Sequence, residues 1–184
     1  DGHPAPDPAT GARATPIYQT TSYVFDSADE AASLFNLQTY GYIYSRLGNP
    51  TVAVLEERVA ALEGGRGAIA TASGHAAQLL ALFTLMAPGA SFVASNKLYG
   101  GSVTQFSRTF KKFGWDCDMV DAEDLDAVRE ALAKPTTKAL FCESLANPGG
   151  VISDLETLAS LAHGAGVPLI VDNTMASPYL CRPF

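Results

Sequence analysis

Asp172 closes the run Val167 to Thr174, V-P-L-I-V-D-N-T, in which four apolar residues follow a helix-ending Gly166 and stop at an acid. Such a run reads as a buried parallel strand that delivers a carboxylate at its carboxyl end, where open α/β sheets bind ligands. A carboxylate there either caps a neighbouring loop or serves a ligand. Three further segments put chemistry-bearing groups at comparable places. Thr71-Ala72-Ser73-Gly74-His75-Ala76-Ala77 follows an apolar run and opens a helix. The free N–H groups of Gly74 and His75 then face outward with the helix dipole behind them and suit a phosphate, the alternative being Ser73 as an ordinary N-cap. His75 offers its backbone there, ahead of its imidazole. Lys97-Leu98-Tyr99-Gly100-Gly101 sets an aromatic ring on a glycine-backed loop, able to stack on a planar ligand or to pack in the core. Glu143-Ser144-Leu145-Ala146-Asn147-Pro148-Gly149-Gly150 brings up Asn147, as an amide for a ligand or as a turn former.

Together these loops offer an anion cradle, a stacking ring, an amide and a terminal carboxylate around one crevice. That set suits pyridoxal 5'-phosphate, whose pyridine nitrogen stays protonated opposite an ionised acid so that the ring serves as an electron sink. Competing motifs fail on context. Gly65-Arg66-Gly67-Ala68-Ile69-Ala70 spells a dinucleotide-type G-x-G-x-x-A, but its glycines precede a strand and no acid follows about 20 residues later. No G-K-[ST], G-x-S-x-G or H-E-x-x-H is present.

The elements that position these loops alternate. Strands are expected at Ala68 to Ala72, Ser91 to Ser95, Asp116 to Val120, Lys138 to Glu143 and Pro168 to Asp172. Helices are expected at Gly74 to Met86, Gly101 to Phe113, Ala122 to Ala133 (capped by Asp121) and Leu155 to His163 (capped by Ser153 or Asp154). Strands interleaved with helices predict an α/β fold, a mostly parallel sheet with crossover helices. Upstream, residues 1 to 15 read as an arm with little structure of its own, and Ala28 to Leu37 as a short helix. An aromatic loop follows with Tyr40, Tyr42, Tyr44 and Arg46. Asn49 caps a helix with Pro50 in its first turn, an apolar face of Val52, Leu55, Val59 and Leu62, and a stop at Gly64. The expected division is 1–55, arm and inter-subunit loop, and 56–184, large domain.

The 184 residues carry 47% hydrophobic and 17% charged residues, a globular composition. A net charge of −7 argues against nucleic acid and anionic membrane as partners. The stretch from Gly64 to Trp115 has no acid and five cations, Arg66, Lys97, Arg108, Lys111 and Lys112, which either suit a small anion or form a solvated basic face. Cys117, Cys142 and Cys181 form no C-x-x-C pair and read as thiols of a reducing compartment; His3, His75 and His163 are too scattered for a metal site. No apolar run approaches a membrane span, and the cytoplasm is the expected location.

Tyr44-Ser45-Arg46-Leu47-Gly48-Asn49-Pro50-Thr51, Ser73-Gly74, Tyr99-Gly100-Gly101, Asn147-Pro148 and Asp172-Asn173-Thr174 with Pro178 occur in the order seen in the Cys/Met-metabolism family of fold-type I pyridoxal-phosphate enzymes. The chain resembles that family over almost its whole length. Leu34-Phe35-Asn36-Leu37-Gln38 and the Glu143 to Gly150 segment are most similar to its sulfhydrylase branch acting on O-acetylhomoserine. The resemblance implies that Ser73, Gly74 and His75 bind the cofactor phosphate, the last two through backbone N–H groups. It implies that Tyr99 stacks on the ring and serves as an acid/base, that Asn147 sits near the ring hydroxyl, and that Asp172, with Thr174 beside it, pairs with the pyridine nitrogen. Tyr44 and Arg46 would reach the phosphate of a neighbouring subunit in a homo-oligomer, a dimer of dimers. The small-molecule substrate would be an amino acid, with replacement of the γ-acetate of O-acetylhomoserine by sulfide to give homocysteine.

The family's Schiff-base lysine belongs to a Ser-x-Thr-Lys segment expected beyond Phe184, as does the arginine that binds the substrate carboxylate. Lys97, Lys111, Lys112, Lys134 and Lys138 do not match that lysine. The chain is accordingly expected to be the N-terminal part of a longer enzyme and, alone, neither to catalyse nor to fold well. Cystathionine synthase, cystathionine lyase or methionine γ-lyase chemistry, a non-covalent phosphate-binding module and an inert fragment stay open as alternatives.

Overall fold

The computed structural model describes residues 6–184, so the first five residues of the expected arm, His3 among them, lie outside the description. The chain divides into two units, residues 6–70 and Thr71–Phe184.

In the first unit, Asp7 closes a local turn by accepting the Thr10 N–H at 2.9 Å. Helix α1, Ala28–Phe35, is capped by the Ser27 side chain; helix α2, Pro50–Glu63, is capped by Asn49 and ends at Gly64, whose φ of 77° suits a residue without a Cβ. Asn49 does more than cap. Its Nδ2 donates to the Tyr18 carbonyl at 2.9 Å and to Ser45 Oγ at 3.0 Å, tying the aromatic loop to the helix start. The apolar stripe of α2 at Val52, Leu55, Val59 and Leu62 stays between 39 and 54% exposed.

The second unit is a layered α/β structure. Helix α3, Gly74–Phe83, leads to β1, Ser91–Ser95; α4, Gly100–Thr104, to β2, Asp116–Val120; α5, Leu125–Leu132, to β3, Thr137–Glu143; and α6, Leu155–Gly164, to β4, Leu169–Asp172, before a single turn α7, Ser177–Leu180. These four strands pair in parallel, in the spatial order β2-β1-β3-β4. Alternation along the strands sorts the core into two layers. Phe92, Ala94, Ala139 and Phe141 pack with Leu82, Phe106, Phe110 and Trp115 on one face. Val93, Leu140 and Cys142 pack with Val128, Leu132 and Leu158 on the other. Phe106 stands at the centre of the first layer, with ring centroids 4.9 Å from Phe141 and 5.1 Å from Phe92.

Three expectations need correction. Ala68 to Ala72 is not a strand: among the described residues it forms no ladder, Ile69 is 77% exposed, and the Ala70 N–H goes instead to Glu56 Oε1 at 2.7 Å. An apolar run becomes a strand only where a neighbour satisfies its backbone groups, and the described chain offers none. The helix expected over Gly101 to Phe113 breaks after α4 into a π turn, Gln105–Thr109, and a 3-10 turn, Phe110–Phe113, a change of winding that buries both Phe106 and Phe110. The cap of α5 is Asp124, whose side chain accepts the Ala127 N–H at 3.1 Å; Asp121 accepts the Glu123 N–H in the preceding turn.

Candidate functional site

A cavity of about 370 Å³ opens at the carboxyl ends of β1, β3 and β4. Seven residues singled out from the sequence line it: Ser73, Gly74 and His75 from the start of α3, Tyr99 from the loop after β1, Asn147 from the loop after β3, and Asp172 and Thr174 from the end of β4. Tyr44 and Arg46 lie in the first unit, where the Arg46 guanidinium stands 5.5 Å over the Tyr44 ring.

The start of α3 has the capped helix N-terminus expected from its sequence. Ser73 is in an extended conformation and its side chain accepts the Ala76 N–H at 3.1 Å, so it is an N-cap. The N–H groups of Gly74 and His75, in the first turn, have no acceptor within the helix. A Cβ on Gly74 would stand in open space, so the backbone is accessible from the cavity. The His75 carbonyl is held from outside by Gln105 Nε2 at 3.0 Å.

The Tyr99 ring lies beside the His75 ring, with centroids 6.0 Å apart and planes 31° apart. Both rings rest on Gly101, where an added Cβ would come within 2.6 Å of Tyr99 Cε1 and 2.7 Å of the His75 ring. Tyr99 is half-exposed and lines the cavity.

The Asp172 carboxylate is held by three donor contacts. Its Oδ1 accepts the Thr174 N–H at 3.0 Å and the Thr174 hydroxyl; its Oδ2 accepts Gln78 Nε2 at 3.2 Å. The Ser144 N–H, by donating to the Asp172 carbonyl at 3.0 Å, fixes the backbone behind it. These contacts orient the carboxylate toward the cavity that it lines.

Sequence reasoning missed Glu143 and Gln78. Glu143, 5% exposed, lines the same cavity and accepts the Tyr99 N–H at 2.7 Å and the Asn147 N–H at 2.9 Å. It thereby clasps the two loops that carry the ring and the amide. The signal was present: Glu143 ends an apolar strand just as Asp172 does. Gln78 is a buried amide in the middle of α3 and sits one turn after Gly74, on the same face.

No lysine lines the cavity. Lys97 is committed to Asp121, at 3.3 Å, and to Glu123, and the hydrogen bond to Glu123 is the main reason its ammonium is held above the usual lysine range. Nor do Arg66, Arg108, Lys111 and Lys112 line it, so this basic stretch contributes backbone donors, and no side-chain cation, to the site. Among the described residues no cluster of three or more His, Cys, Asp or Glu side chains could hold a metal ion, and no helix is long and apolar enough to cross a membrane.

Fold and cavity define an α/β protein with a cavity lined by a helix N-terminus and a strand-end carboxylate. The chain belongs to the Cys/Met metabolism PLP-dependent enzyme family, whose sequence model matches residues 2–184. It is 50% identical over 182 residues to O-acetyl-L-homoserine sulfhydrylase of Leptospira meyeri, covering 99% of this chain and 41% of that protein. Against homocysteine/cysteine synthase of Saccharomyces cerevisiae the identity is 44%, over 96% of this chain and 40% of that one. The crystal structure of an O-acetylhomoserine (thiol)-lyase of Campylobacter jejuni, which contains a pyridoxyl-lysine monophosphate, superposes with a TM-score of 0.93 at 44% identity over 96% of this chain and 44% of that one. Cystathionine γ-lyase of Lactobacillus plantarum gives 0.87 at 37% identity, over 99% of this chain and 45% of that one. The chain thus spans about two fifths of the curated relatives it matches, 41% in the first case.

Proposed function

We propose that the cavity is a pyridoxal 5'-phosphate site and that the whole protein replaces the γ-acetate of O-acetylhomoserine by sulfide. In that reaction the Cγ–O bond breaks with release of acetate, a Cγ–S bond forms, and homocysteine results. The observation that carries the reading is that the N-terminus of α3 and Asp172 line one cavity. Open backbone at Gly74 fits a phosphate, and an anchored carboxylate fits the ring nitrogen.

When bound, the cofactor supplies an electron sink that stabilises negative charge at the substrate carbons. The chain's own residues do the rest. Gly74 and His75 donate backbone N–H groups to the phosphate, with Ser73 at the helix cap. Tyr99 covers one face of the ring, keeps water from it and holds or gives up a proton at its phenol oxygen. Asn147, whose backbone N–H is held by Glu143, would bond the ring hydroxyl. Asp172 accepts the pyridinium N–H, and Thr174 fixes the orientation of that carboxylate.

The same reading makes the protein a cytoplasmic homo-oligomer, a dimer of dimers, in which Tyr44 and Arg46 reach a neighbouring subunit's phosphate. Arginine's planar fork can hold that group through two hydrogen bonds. Sulfhydrylase chemistry is preferred to cystathionine lyase chemistry because identity is 50 and 44% to the sulfhydrylase and homocysteine synthase named above, against 37% to the lyase. The test is product analysis with the whole protein, pyridoxal phosphate, O-acetylhomoserine and sulfide. Homocysteine and acetate in equal amounts are expected; cystathionine cleavage without homocysteine synthesis would overturn the assignment.

A further inference from the structure

Gln78 is buried, 7% exposed, yet its amide is only half satisfied. Nε2 donates both to Ser102 Oγ at 2.9 Å and to Asp172 Oδ2 at 3.2 Å, while the buried Oε1 has no partner. A buried carbonyl left unpaired is disfavoured and is uncommon enough to require a reason. The reason lies at the other end of the amide. Turned over, the group would set Oε1 against Asp172 Oδ2, two acceptors face to face. The observed orientation keeps the donor edge on the carboxylate and leaves the acceptor unpaired.

We propose that Gln78 is a positioning residue for the pyridine-nitrogen contact. Its amide fixes Oδ2 of Asp172, Thr174 fixes Oδ1, and the plane of the carboxylate is set from both sides. Because Gln78 follows Gly74 by one helical turn, α3 carries at one end the phosphate donors and, one turn on, the group that aims the carboxylate. One rigid helix thus references both ends of the cofactor. This inference rests on the cavity being a pyridoxal-phosphate site.

The readout is the NMR shift of the pyridine nitrogen in the whole protein loaded with heavy-nitrogen-labelled pyridoxal phosphate. Gln78→Leu and the near-isosteric Gln78→Glu should both move that shift toward the value in Asp172→Asn and weaken cofactor binding about tenfold, the loss of one hydrogen bond to a charged group. Ser102→Ala, which removes the other acceptor of the Gln78 amide and leaves its bond to Asp172, should leave the shift near wild type. Wild-type shifts in both Gln78 variants, or an equal displacement in Ser102→Ala, would overturn the proposal and leave Gln78 a purely structural amide. A wild-type protein that binds no cofactor, or an Asp172→Asn protein with an unmoved shift, would instead refute the cofactor site itself.

Discussion

Glu143 and Asp172 are register partners at the carboxyl ends of the adjacent parallel strands β3 and β4, so two carboxylates enter one cavity side by side. Each has its own donors. Glu143 is occupied by the backbone N–H groups of Tyr99 and Asn147, whereas Asp172 is held by Thr174 and Gln78. The pair therefore divides the work: Glu143 holds the loops, and Asp172, in the proposed reading, serves the ligand.

Glu143→Gln tests the clasp. A glutamine keeps one acceptor and turns a donor toward the second N–H, leaving one buried group unsatisfied. Stability should fall by about 1–3 kcal/mol in denaturant unfolding, with the midpoint lowered and the slope unchanged.

Gly101→Ala acts on the ring. The new Cβ would meet the Tyr99 and His75 rings at 2.6 to 2.7 Å, and because Tyr99 is 52% exposed the ring can swing away. The fold should survive while affinity for pyridoxal phosphate drops by about 0.5–1.5 kcal/mol, the worth of a stacked aromatic contact. Titration of the cofactor beside a thermal melt separates the two effects.

Phe106→Ala acts on the core. Phe106 is fully buried between Phe92, Phe110 and Phe141, and its removal should lower stability by about 3–5 kcal/mol, readable by denaturant unfolding.

Burial raises the thiols of Cys117 and Cys142 from an ordinary value of 9.0 to about 12. A group whose folded value is raised contributes its full stabilisation below the unfolded value and loses it as pH rises through the folded one. The melting temperature should therefore be insensitive to these thiols below pH 9.0 and decline because of them toward about pH 12. In the double variant Cys117→Ala, Cys142→Ala that alkaline decline should be shallower.

The limits of β1 follow directly from the sequence, because a strand packed between two layers reads as a short apolar run bounded by turn residues. Ala68 to Ala72 shows the same pattern and forms no strand, since pairing depends on a neighbour that local composition does not encode. Asp121 and Asp124 are both plausible caps three residues apart, and only the backbone conformation, non-helical at Asp124 with ψ of 88°, selects between them. Within the cavity, Asp172 and the Ser73-Gly74-His75 turn were legible because each sits at the end of an apolar pattern. The role of Glu143 was hidden because its partners are backbone N–H groups, which residue type does not reveal, and Gln78 because its carboxylate partner lies 94 residues away.

The most direct test is an equilibrium titration of the protein with pyridoxal 5'-phosphate and with unphosphorylated pyridoxal, followed through the cofactor's absorbance, in the wild type and in Gly74→Val and Asp172→Ala. Phosphorylated cofactor should bind at least about tenfold more tightly than pyridoxal. Gly74→Val should erase that preference, and Asp172→Ala should weaken both ligands alike. Equal affinity for the two ligands in the wild type, or binding untouched by both substitutions, would contradict a cradle and carboxylate acting on one cofactor.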